Sequence, residues 1–156
     1  MSLKNLSATI KIHKIYKQKL RNKKINQIYK KFERSLDIKK DFVVAVSGGP
    51  DSLALSFLAK IFSPKKKLNS KFFIIDHKLR PESTFEAKRV VKVLRKFFIK
   101  AEILTWKGQK PSNNIQSLAR EKRYKLLVDK CNKLKINNIL LGHHEDDLYE
   151  NFFIRL

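Results

Sequence analysis

The chain has 156 residues, of which 42% are apolar, and its 36 Lys and Arg against 14 Asp and Glu give a formal net charge of +22. This length predicts one domain, and this apolar share excludes a disordered chain. No apolar run reaches the ~18 residues of a membrane helix, and the first residues lack the apolar block of a signal peptide. Cys131 is the only cysteine, which excludes an internal disulfide and a cysteine zinc cluster within the chain. We therefore expect a cytoplasmic protein with no membrane partner.

The excess of positive charge predicts attraction to polyanions, with nucleic acid as the first candidate. Lysine is far more frequent than arginine, and asparagine, isoleucine and phenylalanine are also abundant. The base composition of a genome can produce the same bias, and most lysines would then only cover a solvated surface. Both explanations of the charge stay open.

Residues 1–40 are polar and strongly basic, which predicts a helical N-terminal extension. Over residues 25–36, apolar side chains spaced by three and four predict one face of an amphipathic helix, formed by Ile25, Ile28, Tyr29, Phe32 and Leu36. We expect this helix to cover a sheet edge. For the residues before it, a covering helix and an RNA-contacting arm are equal alternatives.

From residue 42 onward, short apolar runs alternate with longer amphipathic stretches. The apolar runs predict strands at 42–46, 72–75, 101–104 and 139–141. The stretches between and after them predict helices at 51–62, 83–98, 112–134 and from about 146 onward. Strands that alternate with helices predict an α/β fold, a twisted parallel sheet with helices on both faces.

Two of these helices carry more detailed signals. In the helix over 51–62, Leu55, Leu58 and Phe62 form the stripe that we expect to face the core. At the start of the helix over 83–98, Ser83 and Glu86 have the spacing of a capping box.

Polar residues follow three of the predicted strands, at 47–52, 76–77 and 142–147. Because ligands of parallel sheets bind beyond the carboxyl ends of the strands, we expect these three segments to meet at one rim.

The first of these segments joins a strand to a helix. Its glycines let backbone amides turn toward a ligand, its serines supply hydroxyls, and the helix N-terminus adds free N–H groups and positive partial charge. The pattern predicts a phosphate cradle, although it is neither a Walker loop nor GxGxxG. A tight turn with ordinary capping is the alternative. The residues are Ser47, Gly48, Gly49, Pro50, Asp51 and Ser52.

Acidic residues accompany this cradle. Asp51 lies within it, and a carboxylate beside phosphates is repelled unless a cation such as Mg²⁺ bridges them. Asp146, Asp147 and Glu150 lie near the start of the last predicted helix. Their place at a strand end favours a metal or catalytic role, although acids also stabilise a helix N-terminus by ~0.3–1 kcal/mol.

Basic residues complete the predicted rim. Arg123 interrupts an apolar line of the helix over 112–134, so its charge needs a bound or buried partner, either a phosphate or a structural acid such as Asp147. Arg120 lies one turn earlier. His143 is a candidate to bind a phosphate or to orient Asp147, while His77 and Arg80, which follow Asp76, are either ligand-binding residues or only turn residues.

Four ordered motifs carry a family resemblance. Residues 47–52 resemble the SGGxDS loop of the N-type ATP pyrophosphatases, and the motifs at 76–83, 119–124 and 141–150 narrow the likeness. Together they resemble the tRNA(Ile)-lysidine synthase family, over about residues 42–156. The resemblance implies a PP-loop ATP-binding domain at 41–156 after the extension at 1–40.

The family resemblance implies a reaction. ATP adenylates the C2 oxygen of the wobble cytidine in an isoleucine tRNA with a CAU anticodon, and free L-lysine then displaces AMP. It implies that Asp51, Asp147 and Arg120 are catalytic and that the two aspartates bind Mg²⁺. It assigns the nucleotide to residues 47–52 and to Asp76, His77, Arg123 and His143. A homodimer stays open.

Two departures from the family and two alternatives complete the prediction. Asn151 stands where the family has threonine, and the family continues after Leu156 with parts that grip tRNA, so we expect a truncated domain. A sister enzyme that thiolates a tRNA cytidine would need sulfur carried on cysteines. The other alternative is a non-catalytic RNA-binding remnant.

Overall fold

The computed structural model describes residues 14–108 and 115–142, with the side chains of 115–119 left aside. The chain divides into two compact units, Met1–Lys39 and Lys40–Leu156. Throughout the described ranges, no helix combines the length and the apolar character that crossing a bilayer requires.

The first unit is helical where it is described, with α1 at residues 14–20 and α2 at Lys23–Ser35. The Asn22 side chain caps α2 by accepting two backbone hydrogen bonds, at 3.0 and 3.2 Å. Tyr29 is buried as predicted, but Ile28 is 58% exposed, so its predicted place on the buried face is wrong. Successive residues point about 100° apart on a helix, and the buried face of α2 is too narrow to include both Ile28 and Tyr29.

The second unit is built on four strands that run parallel in the order β3-β2-β1-β4. The predicted α/β fold is therefore confirmed. Its elements are β1 (Phe42–Val46), α3 (Pro50–Lys65), β2 (Ser70–Asp76), α4 (Ser83–Lys96), β3 (Ala101–Thr105), α5 (Ile115–Leu134) and β4 (Asn138–Leu141). Residues 112–114 and the predicted last helix lie outside the described residues.

The helices lie on both faces of the sheet. On one face the ring of Phe42 in β1 meets that of Phe62 in α3, with centroids 6.1 Å apart. Val43 points the other way, as successive strand residues do, and shares a cluster with Phe73 and with Leu127 of α5. The sheet is thus covered by α3 on one side and by α5 on the other.

The buried face of α3 differs from the predicted leucine stripe. Phe62 is buried, but Leu55 and Leu58 are only partly buried, while Ser52 and Ser56 are buried. Ser56 donates its hydroxyl to the Ser52 carbonyl at 2.7 Å, so its polarity is satisfied inside the helix. Small side chains can then face the sheet at no cost in unpaired polar groups, which hydropathy alone does not predict.

The three crossover helices end alike, on a residue with left-handed backbone geometry. In each case the next amide donates to the carbonyl five residues earlier, at 2.8–3.0 Å, which is the Schellman arrangement. The residues with positive φ are not glycines but Lys67, Phe98 and Lys135, at φ 58°, 54° and 56°. These helix ends are therefore fixed by backbone hydrogen bonds, and no glycine in the sequence indicates where they form.

The strand order creates a crevice beside β1. The chain proceeds outward from β1 to β2 and β3, and then returns to place β4 on the opposite side of β1. The helix after β1, α3, and the helix before β4, α5, lie on opposite faces of the sheet, so the crevice lies where the connections change direction, at the carboxyl ends of these two strands. Ala45 of β1 pairs with Leu141 of β4, so both strands end at the same level.

We predict that Leu127→Ala lowers the free energy of unfolding by about 2–5 kcal/mol, because it empties a core position that is 1% exposed. Val128→Ala is the matched control one residue further along α5, where the side chain is 45% exposed. It should change that free energy by less than about 0.5 kcal/mol. Urea unfolding measures both, and equal losses would contradict the docking of α5 described above.

Candidate functional site

The loop after β1 turns on Gly48, whose φ is +94°. A Cβ on this residue would lie 2.6 Å from Cγ2 of Val90, in the middle of α4. Both the backbone conformation and the contact therefore require glycine. Because no side chain intervenes, the loop backbone packs directly against α4.

Two serines fasten the loop to the first turn of α3. The buried Ser52 hydroxyl donates to the Gly49 carbonyl at 2.9 Å and accepts from the Gly48 amide at 3.1 Å. Ser47 donates its hydroxyl to the Ser52 hydroxyl at 3.1 Å. The loop is thus pre-organised by its own side chains, without a ligand.

The N-terminus of α3 has no side-chain cap. Gly49 is its N-cap residue, Pro50 opens the helix, and Asp51 is the acid of the first turn. Helix N-termini leave backbone N–H groups unpaired, and these groups favour an anion. The side chain of Asp51 is exposed at this same end.

The end of β4 closes on the loop from the other side. A Cβ on Gly142 would lie 2.9 Å from the Ser52 Cα and 3.2 Å from the Asp51 carbonyl carbon. The two segments that sequence analysis assigned to one rim therefore meet here in van der Waals contact. The predicted residues that follow, His143 and Asp147, lie outside the described residues.

A cavity of about 90 Å³ lies between the loop, the end of β2 and α5. It combines serine hydroxyls, an imidazole and a guanidinium with an apolar lining, which suits a ligand with both a charged and an apolar part. Its lining residues are Ala45, Val46, Ser47, Ser52, Ile75, His77, Arg123, Tyr124, Leu127, Leu141 and Gly142.

His77 lies in the lining of this cavity. Its Nδ1 is buried and has no hydrogen-bond partner among the described residues. Burial, and next the positive charge of Arg123, lower the pKa of His77, although Asp76 acts in the opposite direction. The lowered pKa favours the neutral imidazole, in which one nitrogen carries a proton and the other accepts a hydrogen bond.

The two arginines of α5 have different surroundings. Arg123 lines the cavity, whereas the Arg120 guanidinium lies over the Tyr124 ring, 5.6 Å from its centroid. Since Tyr124 also lines the cavity, Arg120 is one side chain removed from it. The structure thus brings Arg123 to the predicted rim directly and Arg120 only through its neighbour.

Asp76 is buried at the end of β2, with both carboxylate oxygens engaged. Oδ1 accepts from the Ser83 hydroxyl at 2.8 Å and from the Lys78 amide at 3.1 Å, and Oδ2 accepts from the Thr84 hydroxyl at 2.7 Å. Burial acts to raise the pKa of Asp76, but these hydrogen bonds and the Lys78 charge outweigh it, so the pKa is lowered. The carboxylate fixes the start of α4.

The predicted capping box at this helix start is wrong. The N-cap position is Glu82, which makes no side-chain cap hydrogen bond, and Ser83 gives its hydroxyl to Asp76. Glu86 instead pairs with Arg80 at 3.0 Å. A buried charged acceptor is a stronger partner for the serine hydroxyl than an exposed amide.

No cluster of three potential metal ligands occurs within residues 14–108 and 115–142. The predicted Mg²⁺ pair joins Asp51 to Asp147, and Asp147 lies outside these ranges. Oxygen donors near a phosphate cradle suit Mg²⁺, and the exposed carboxylate of Asp51 fits that requirement. The pair remains a prediction.

Sequence reasoning missed two residues that shape the site. Val90 packs against the loop from α4, and no local signal marks it, because an apolar residue on a helix only predicts a core position. Tyr124 lines the cavity. Tyr124 is the last residue of the motif at 119–124 and follows Arg123 directly. Its position beside a predicted site residue was the one local indication that it belongs to the site.

A glycine turn at the switch point of a parallel sheet, with cationic groups around it, defines a phosphate-binding α/β domain. The family model described as the PP-loop domain matches residues 17–156, and the chain belongs to this family.

Several curated relatives are similar to this chain, and each is named tRNA(Ile)-lysidine synthase. The protein of Orientia tsutsugamushi is 44% identical over 113 residues, which are 72% of this chain and 26% of that protein. The Rickettsia bellii protein is 36% identical over 136 residues, 83% of this chain and 31% of that protein. The Wolbachia pipientis protein is 42% identical over 115 residues, which are 72% of this chain and 27% of that protein. The chain thus spans about a quarter to a third of these relatives' length.

Two solved structures share the fold. The U34-tRNA thiolase NcsA from Methanococcus maripaludis, solved with its [4Fe-4S] cluster, has a TM-score of 0.72 at 19% identity and covers 85% of this chain and 50% of that one. The NH3-dependent NAD synthetase from Campylobacter jejuni, in complex with the nitrate ion, has a TM-score of 0.51 at 18% identity and covers 84% and 58%. At these identities the likeness establishes the fold alone.

We predict that Gly48→Ala lowers the free energy of unfolding by about 1–3 kcal/mol, because a Cβ is strained at φ +94° and meets Val90. Gly49→Ala is the matched control, since Gly49 has φ −70° and its nearest new contact would lie at 3.7 Å. Denaturant unfolding of both variants is the measurement. A tolerated Gly48→Ala would show that the loop is not held against α4.

We predict that Asp76→Asn lowers the free energy of unfolding by about 1–3 kcal/mol, because two hydroxyls lose a charged acceptor. The pKa of Asp76 is lowered from 3.8, so its stabilisation is complete above that value and is lost as the pH falls toward the folded pKa. Unfolding free energies of wild type and variant should therefore converge below about pH 4. The exposed Asp129→Asn on α5 is the control, and a difference that persists unchanged at pH 3 would contradict the assignment.

Proposed function

We propose that this chain is the nucleotide-binding part of an enzyme that ligates lysine to C2 of the wobble cytidine in an isoleucine tRNA with a CAU anticodon. The observation that carries the proposal is the Gly48 turn, a backbone cradle closed by Gly142 and lined on one side by Arg123. Relatives at 36–44% identity that are named tRNA(Ile)-lysidine synthase support the choice of reaction.

The reaction has two bond exchanges. The C2 oxygen of the cytidine attacks the α-phosphorus of ATP, and pyrophosphate leaves with the electrons of the broken P–O bond. The amine of free L-lysine then attacks C2, AMP leaves with the C2–O bond electrons, and the amine gives up a proton. The products are lysidine in the tRNA, AMP and pyrophosphate.

The chain's own residues have separable tasks in this proposal. Residues 47–52 hold phosphate oxygens through the N–H groups at the first turn of α3, and Arg123 neutralises the phosphate charge. The neutral His77 offers Nδ1 to the nucleotide. Arg120, the predicted catalytic arginine, acts from beside Tyr124 on the developing negative charge.

Acids and the second strand end complete the assignment. Asp51 and Asp147 would hold Mg²⁺, which supplies charge neutralisation at the phosphates when bound. His143 would contact the same phosphates. For Asp76, predicted to bind nucleotide, the hydrogen bonds to Ser83 and Thr84 favour a supporting role in holding α4.

The partners follow from the same proposal. They are the isoleucine tRNA, free L-lysine, ATP and Mg²⁺, and the cytoplasm is where a tRNA of this kind is available. A homodimer is an additional proposal that rests on the family resemblance alone.

A sister enzyme that thiolates tRNA is the alternative, and the thiolase NcsA shares the fold. Cys131 lies on the inner face of α5 and is buried in the core, and burial raises the pKa of its thiol. A thiolate that carries sulfur needs an exposed position and a lowered pKa. Cys131 therefore does not favour thiolation.

We predict that the chain takes up ATP in the presence of Mg²⁺ and that Asp51→Asn reduces AMP release by about 100-fold or more, as for loss of a group that stabilises transition-state charge. The matched control is Asp129→Asn, an exposed aspartate on α5 that should leave activity within about twofold. The assay contains isoleucine tRNA with a CAU anticodon, ATP and labelled lysine, and it measures label in the tRNA together with AMP.

Two results would contradict this proposal. Calorimetry that detects no ATP uptake with Mg²⁺ would remove the nucleotide site and leave the non-catalytic RNA-binding alternative. Label transferred from a sulfur donor, rather than from lysine, would favour the thiolation enzyme.

A further inference from the structure

The outward face of α4 carries an unbroken row of exposed side chains, which we call the α4 stripe. Its positions are spaced by three and four residues, or are adjacent, and so share one side of the helix. The opposite side holds the buried Ala87 and Leu94 and faces the sheet. The stripe consists of Phe85, Lys88, Arg89, Lys92 and Lys96.

The four basic residues of the α4 stripe form no ion pair within the described part of the chain. Two acids lie beside it, Glu86, which pairs with Arg80 at 3.0 Å, and the exposed Glu82 at the N-cap position. On α5, by contrast, Lys130 pairs with Glu102 at 2.6 Å and Lys122 with Glu121 at 3.5 Å. The stripe is therefore a concentrated cationic surface within a chain that is basic throughout.

An exposed aromatic ring adds a second feature. Phe85 is 70% exposed at the beginning of the stripe. Aromatic rings that lie beside a cationic groove are stacking platforms for unpaired bases, and phosphates follow the cationic residues. In double-stranded nucleic acid the bases are stacked on one another, so they are not available to stack on such a ring.

The position of α4 connects the stripe to the candidate site. Asp76 fixes the start of α4 at the rim of the sheet, and Val90 on the inner side packs against Gly48. Phe85 precedes Val90 by five residues, which is about 7–8 Å along the helix axis. A base on Phe85 would thus lie at the rim end of α4, on the face turned away from the loop.

We propose that the α4 stripe is a docking surface for single-stranded RNA, with an unpaired base stacked on Phe85 and the phosphates that follow it on Lys88, Arg89 and Lys92. The proposal deepens the proposed function, because an anticodon loop supplies RNA of this kind. Its argument comes from the charge and exposure of α4 and not from the nucleotide site.

The first test compares two pairs of lysines by fluorescence anisotropy, with a stem–loop RNA carrying a CAU loop. Lys88→Gln with Lys92→Gln should weaken binding about tenfold at low salt and lower the slope of log affinity against log salt by about 2. The matched control, Lys133→Gln with Lys135→Gln, removes the same charge from exposed positions at the end of α5 and should change affinity less than twofold. Equal losses in both pairs would overturn the proposal, because the charge would then act diffusely.

The second test addresses the ring. Phe85→Ala should weaken binding of the stem–loop about fivefold or more and leave binding of a fully paired duplex of equal length unchanged, while Phe85→Tyr should restore the stem–loop affinity. Loss on both RNAs alike, or no loss on either, would overturn base stacking at Phe85.

Two further readouts separate the outcomes. Polyglutamate serves as a competitor beside unlabelled RNA. If it displaces the stem–loop equally well, the surface binds any polyanion and the assignment to RNA is overturned. ATP uptake by the same variants, measured by calorimetry, should equal that of wild type. Unaltered RNA binding with intact ATP uptake would refute this surface alone, whereas RNA binding without ATP uptake would refute the proposed function alone.

Discussion

The geometry of the rim depends on a single missing side chain. Gly48 turns with φ +94° directly beneath Val90, and a Cβ there would lie 2.6 Å from that residue. The same close approach joins three elements, because it ends β1, aims the N-terminus of α3 outward and seats α4 against the loop. The serines then fasten the turn, and Gly142 allows the end of β4 to reach it. The cavity beside the loop, of about 90 Å³, is bounded by these same elements.

The polar groups at the rim divide into two kinds. Some are consumed by the fold, as Asp76 is by Ser83 and Thr84, and their buried hydrogen bonds make the scaffold rigid. Others belong to residues that line the cavity, namely His77, whose buried Nδ1 is unpaired among the described residues, and Arg123. A site that must bind a charged ligand repeatedly requires both kinds, since the first group holds the second in place before the ligand arrives.

The basic character of the chain is not uniform in its physical meaning. On α5, lysines are partly balanced by neighbouring acids, so they contribute mainly solubility and weak surface pairing. On α4, lysines and an arginine form an unbalanced row that ends in an exposed ring. The formal charge of +22 gives no indication of this difference, which depends on which helical face each residue occupies.

The sequence by itself determined the strands, the crossover helices, the parallel sheet and the loop at 47–52, because period and glycine placement are local signals. Only the tertiary structure decided which polar residues form hydrogen bonds within the fold and which line the cavity. It buried Ser52 and Ser56 in place of two predicted leucines, gave Ser83 to Asp76 and separated Arg123 from Arg120. Each of these outcomes depends on partners that are brought close by packing, on a different turn or a different element. Hydropathy and spacing describe one residue's neighbours along the chain and do not contain that information.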